Sequence, residues 1–97
     1  MSKVAVVTGG GGGIGRAVSI ALSKAGWSCV VIGRTQASLD ETVGSLAGKG
    51  IGIACDVSDP KQVDAAFAEA AKVYPGYAKY RERASHRTIE VYVLSPT

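Results

Sequence analysis

Residues Thr8 to Gly15 read Thr-Gly-Gly-Gly-Gly-Gly-Ile-Gly, directly after the strand-like run Lys3-Val4-Ala5-Val6-Val7. No other segment constrains the fold so tightly. A strand that ends in glycines and then opens a helix gathers backbone N–H groups with no side chain projecting over them. The helix adds unpaired N–H groups and the positive end of its dipole. Such a junction can hold a phosphate, and it requires a strand–turn–helix unit to stand on. Five of the 13 glycines lie in the unbroken run Gly9–Gly13, so glycine is used here as a local device, and a fibrous reading is unnecessary.

Strand and helix signals alternate through the first three quarters of the chain. Ile14, Ala17, Val18, Ala21, Leu22 and Ala25 recur at helical spacing, and Gly26 is a natural stop. Residues 28–33, Ser-Cys-Val-Val-Ile-Gly, read as a second strand. Thr35 can cap a second helix with apolar positions Leu39, Val43, Leu46 and Ala47. That helix ends near Gly48 or Gly50, and Gly44 weakens it. Residues 51–57 read as a third strand. Ser58 or Asp59 then caps a third helix, with Pro60 in its first turn. Val63, Ala66, Phe67, Ala70, Ala71 and Val73 line one face of it. Short connections between alternating strands and helices imply parallel strands. The expected fold class is α/β, a truncated doubly wound parallel sheet in strand order 3-2-1 over residues 1–73.

Residues 74–97 differ in character. They hold the four tyrosines, the single histidine and four of the eleven basic residues. Residues 76–86 read as a short polar helix and residues 88–94 as a fourth strand, giving an extra C-terminal helix and strand. The net charge of +3 is spread along the chain apart from Lys79, Arg81, Arg83 and Arg87, with Glu82 among them. That cluster reads as a solvated helix face, so no nucleic-acid partner is expected. No apolar run approaches the roughly 18 residues of a membrane helix, and the N-terminus lacks a secretory signal. Cys29 and Cys55 sit in apolar runs without zinc-type spacing. Buried free thiols in a reducing compartment, the cytoplasm, are the expectation, with no metal site.

The spacing Thr8-Gly9-x-x-x-Gly13-x-Gly15 resembles the TGxxxGxG signature of the short-chain dehydrogenase/reductase family. A GxGxxG pattern also reads from Gly11 and Gly13, but its last position falls on Arg16. The resemblance covers about residues 3–73. It implies a Rossmann-like fold, an oxidoreductase lineage and a dinucleotide cofactor. Under it Gly9, Gly11, Gly12, Gly13, Ile14 and Gly15 form the cofactor loop. Gly9 makes the tight turn, and Gly13 and Gly15 permit close approach. Ile14 packs at the helix start with its N–H toward the cofactor. After the second strand stands Gly33-Arg34-Thr35, where NAD-specific sites place an acid. Arg34 offers a guanidinium fork to a ribose 2′-phosphate, so NADP is the expected cofactor. The other reading of Arg34 is an ordinary exposed loop arginine. Cys55-Asp56-Val57 resembles the family's Asp-Val pair, in which the carboxylate accepts from the adenine amino group. Asp56 can equally belong to the turn that caps the third helix.

In that family an Asn-Asn-Ala-Gly strand motif, a catalytic Ser and a Tyr-x-x-x-Lys pair follow. This chain has no Asn, and its nearest imitation of the pair is Tyr77-x-x-x-Arg81. No catalytic residue is expected, and His86 reads as a surface residue. The tail resembles the C-terminus of deazaflavin-dependent nitroreductases. Tyr74-Pro75-x-Tyr77-x-x-Tyr80-x-x-Arg83 is followed by Arg87-x-Ile89-x-Val91-x-Val93-Leu94-x-Pro96, with Glu90 where that family commonly has Pro. This implies a fusion of two fragments, with a frameshift product as the alternative. The expected function is therefore the NADP(H)-binding N-terminal portion of a reductase, not catalytically competent alone. A non-catalytic scaffold that self-associates through an exposed sheet edge is the contrasting reading.

Overall fold

The β-rich runs become neighbouring strands of one sheet. The computed structural model describes residues 3–9, 11–74, 77–80 and 91–96, the last two stretches as backbone. Its elements, in chain order, are β1 (Val4–Thr8), α1 (Gly13–Lys24), β2 (Ser28–Gly33), α2 (Gln36–Ser45), β3 (Gly50–Ala54), α3 (Pro60–Val73), β4 (Tyr77–Tyr80) and β5 (Val91–Pro96). β1 pairs with β2 in parallel from Val4↔Ser28 to Thr8↔Ile32, and β2 with β3 in parallel from Cys29↔Gly50 to Gly33↔Ala54. The expected 3-2-1 order is therefore present, inside the full order β3-β2-β1-β5-β4. β5 lies antiparallel to β1, from Val4↔Leu94 to Val7↔Val91.

Alternate residues of the central strands serve two separate cores. Val4, Val6, Val30 and Ile32 pack with Cys55 and with Ala66 and Ala70 of α3, backed by half-buried Val63 and Phe67. Cys29 and Val31 pack with Leu39 of α2, backed by Leu22, Val43 and Leu46. Each fully buried valine contributes on the order of 1.5–3 kcal/mol of gross transfer energy. Ala71 and Val73, expected on the buried face of α3, are exposed.

α1 corrects the sequence reading. Its buried residues are Gly15, Ser19 and Ser23, while Ala17, Ala21 and Ala25 are exposed. Small residues at i, i+4 and i+8 let the helix lie close to the strands. Their hydroxyls stay satisfied at short range: Ser19 Oγ donates to the Gly15 carbonyl at 2.8 Å and Ser23 Oγ to the Ile20 carbonyl at 2.8 Å. Ser23 Oγ also accepts from the Ala47 N–H at 3.0 Å.

α2 is seated on glycines. A Cβ on Gly52 would lie 2.9 Å from Leu39 Cβ, and one on Gly33 would lie 3.2 Å from Leu39 Cδ2. α2 ends earlier than expected because Leu46 turns extended, with φ −72° and ψ 144°, and tucks into the second core.

Of the two candidate caps for α3, Asp59 is the one used. Its carboxylate accepts from the Lys61 N–H at 3.0 Å, and Pro60 opens the helix. Asp59→Ala should cost about 1 kcal/mol, read as a lower urea midpoint at unchanged slope. A midpoint equal to the unaltered chain's would remove Asp59 from that role.

The helix expected over 76–86 is corrected for residues 77–80, which form β4. Tyr-Ala-Lys-Tyr carries two β-favouring aromatics and pairs with β5 from Tyr77↔Pro96 to Tyr80↔Val93. The rest of that segment, the basic side chains of residues 79–87 and His86 fall outside the described residues, as do the tail motif's side chains after Tyr74, which packs against the first core. Among the described residues, no helix is long and apolar enough to cross a membrane.

Candidate functional site

Parallel pairing puts the carboxyl ends of β1, β2 and β3 on one edge of the sheet. Every residue expected to bind cofactor follows one of those ends. The loop after β1 turns at Gly9 with φ 67° and enters α1 at Gly13 with φ 55°, backbone conformations that favour glycine. Gly12 stands at the N-cap with extended backbone and has no side chain to cap the helix. The first turn carries no acid either. The positive end of α1 is therefore left open to an outside anion. Gly15 is buried against the strands. Ile14 departs from expectation: its side chain is 62% exposed rather than packed at the helix start. Gly10 lies outside the described residues.

The loop is held by a residue that the sequence motif passed over. Arg16 folds back along α1, and its Nη2 donates to the Gly11 carbonyl at 2.9 Å, the Ser38 carbonyl at 3.2 Å and Glu41 Oε2 at 3.3 Å. Its Nε donates to Thr42 Oγ1 at 2.9 Å. Three of these partners belong to α2, more than 20 residues away, so periodicity and motif spacing carry no trace of them.

Arg34 follows β2 and is 78% exposed, with Nη2 3.8 Å from Asp56 Oδ1 beyond β3. The two strand ends are tied by the Cys55 N–H, which donates to the Gly33 carbonyl at 2.7 Å. The glycine loop adjoins them, since a Cβ on Gly33 would lie 3.8 Å from Gly11 N. The structure thus brings Arg34, Asp56 and the loop to one edge. Val57, beside Asp56, presents an exposed apolar side chain there. Asp56 also takes part in the turn before α3. Its Oδ1 accepts from the Ser58 N–H at 3.0 Å and from Ser58 Oγ at 2.7 Å.

Those hydrogen bonds from Ser58, with the Arg34 guanidinium a smaller influence, hold the Asp56 carboxyl below its ordinary value of 3.8, against slight desolvation. A carboxyl whose folded pKa is depressed stabilises the fold above its unfolded pKa and withdraws that support as pH falls through the folded value. The turn should therefore hold at neutral pH and loosen only in acid below the usual carboxylate range. In Ser58→Ala the Asp56 midpoint, followed by carbon NMR of its carboxyl, should rise toward the ordinary value. An unmoved midpoint would assign the shift to another group. Among the described residues there is no cluster of His, Cys, Asp or Glu that could hold a metal ion.

The family model for short chain dehydrogenase matches residues 3–77. Tetrahydroxynaphthalene reductase PfmaG of Pestalotiopsis fici is 40% identical over 76 residues, covering 74% of this chain and 27% of that reductase. A point variant of actinorhodin polyketide ketoreductase, solved with NADPH, superposes at TM-score 0.72 with 32% identity, over 75% of this chain and 29% of its own. The 3-ketoacyl-(acyl-carrier-protein) reductase of Brucella melitensis, solved with NADH, superposes at TM-score 0.69 with 30% identity, over 72% of this chain and 29% of its own. The chain spans less than a third of the length of these three proteins.

Proposed function

The chain belongs to the short-chain dehydrogenase family, and on that premise we propose that it binds NADP(H) as the cofactor-holding portion of a reductase. The observation that carries this reading is Arg34. At the end of β2 its one contact among the described residues is the 3.8 Å ion pair with Asp56, and no acid stands beside it in Gly33-Arg34-Thr35. Relatives solved with NADPH and with NADH share the surrounding fold, so resemblance alone does not choose the cofactor. A guanidinium at this position favours a ribose 2′-phosphate over an unsubstituted ribose.

In this reading Gly9, Gly11, Gly12, Gly13, Ile14 and Gly15 offer backbone to the diphosphate at the open end of α1. Asp56 receives the adenine amino group on the carboxylate edge left outside its turn, and Val57 lies against the base. The residues fit such a group: the helix end has no side-chain cap, and a Cβ on Gly12 or Gly13 would meet nothing within 4 Å, so the space before α1 is open. When bound, the cofactor supplies a hydride. Reduction of a carbonyl also needs a proton, and the chain holds no Tyr-x-x-x-Lys pair and no Asn. We assign it binding without turnover.

The test is fluorescence titration of the purified 97-residue chain with NADPH and NADH. Saturable binding that favours NADPH, without carbonyl-dependent oxidation, is expected. Absence of binding at millimolar NADPH would overturn the reading. The scaffold alternative places self-association on the outer strands β3 and β4. It predicts a concentration-dependent sedimentation coefficient in place of cofactor binding.

A further inference from the structure

Among the described residues two arginines stand at this edge, and their surroundings differ sharply. Arg34 is largely exposed and has one long ion pair. The Arg16 side chain is only 30% exposed and reaches four acceptors on two elements. An arginine whose Nε and Nη2 are both engaged in this way is fixed against the loop and α2, although it lies one residue past the glycine loop. What it holds is specific. In a trans peptide the C=O and N–H point in opposite directions, and no cis bond is present among the described residues. Drawing the Gly11 carbonyl onto Arg16 therefore turns the Gly12 N–H the other way, out of the α1–α2 seam. The same guanidinium reaches the Ser38 carbonyl and Thr42 Oγ1, which fastens the loop to α2. α2 is the helix that begins two residues after Arg34.

We propose that Arg16 is a positioning residue for the diphosphate-binding loop: it sets the direction of the Gly11–Gly12 peptide and locks the loop to α2 without touching the cofactor. The proposal rests on the NADP(H) reading above. It assigns the two arginines to different parts of one ligand, Arg16 to the diphosphate through the loop and Arg34 to the 2′-phosphate directly. The Arg16–Glu41 pair, on a carboxylate 72% exposed, contributes little to this. The carbonyl and hydroxyl acceptors carry the role.

Three probes separate the parts: ADP for the diphosphate, adenosine 2′-phosphate for the far end, and NADPH for both. Arg16→Met should weaken ADP and NADPH by about tenfold, the scale of one lost charge-assisted hydrogen bond, and leave adenosine 2′-phosphate within twofold. Arg16→Lys keeps the charge, but a single ammonium lacks the planar fork that reaches Gly11, Ser38 and Thr42 together. It should recover only part of the loss. In the absence of any ligand, the Gly12 and Gly13 amide resonances should move, and exchange faster with solvent, in Arg16→Met. Unchanged ADP affinity, equal loss for ADP and adenosine 2′-phosphate, or full rescue by Lys would each overturn the proposal. If the unaltered chain binds neither ADP nor NADPH, the cofactor reading fails. The amide comparison then decides the role of Arg16 by itself, and unmoved Gly12 and Gly13 resonances would overturn it.

Discussion

Leu39→Ala is expected to destabilise the chain by about 2–5 kcal/mol, the range for a fully buried leucine. Leu39 is 0% exposed and packs with Cys29 and Val31. Much of its surroundings is backbone: the Cβ positions of Gly11, Gly33 and Gly52 all lie within 4 Å of it. Glycine backbone fixed by strand pairing cannot move into a cavity as a flexible side chain can. The vacated space should therefore stay open and the loss fall toward the upper part of the range. A domain of this size has a total stability of roughly 5–15 kcal/mol, so a large part of the fold is at stake. The measurement is urea denaturation, with the midpoint lowered and the slope held. A loss under about 1 kcal/mol would mean that α2 settles onto the strands without its leucine, and the glycine seat would lose its significance.

The second large effect concerns discrimination between cofactors. Arg34→Ala should weaken NADPH by roughly 10- to 150-fold, corresponding to about 1.5–3 kcal/mol for a charged hydrogen bond, and leave NADH nearly unchanged. The fold should not register the change, because the ion pair lost among the described residues is exposed and 3.8 Å long. Two titrations and one urea curve separate the outcomes. Parallel losses for both cofactors would show that Arg34 acts on something they share, such as the adenine. A drop in stability alongside would make the ion pair with Asp56 structural.

Backbone groups made the site legible in the sequence. A strand, a glycine run and a helix start can be placed by local chemistry, so the loop, Arg34 and Asp56 could be put on one sheet edge from order alone. The bounds of β2 were also readable, since Gly26 and Gly33 frame its β-branched centre. Side-chain geometry was less accessible. In α1 the apolar period marked Ala17 and Ala21, yet the closest approach to the strands belongs to Gly15, Ser19 and Ser23, where small size outweighs hydropathy. Arg16 appeared only as a broken motif position because its acceptors lie on another helix. For residues 77–80 the polar composition favoured a helix, and pairing with a strand later in the chain overrode that local preference.

The two cores separated by the sheet have a practical consequence. Cys29 lies beneath α1 and α2, where its Sγ donates to the Ser19 carbonyl at 3.5 Å, and Cys55 lies beneath α3. Burial pushes both thiols up from their ordinary values, with Asp56 and Asp59 adding to the effect at Cys55. Neither sulfur reacts readily until its covering layer lifts. Each side of the sheet thus carries its own chemical clock. The labelling rate at one cysteine times the opening of the α1–α2 layer, and the rate at the other times the opening of α3. Cofactor capture at the loop can then be followed as a slowing of the first clock relative to the second, one layer at a time.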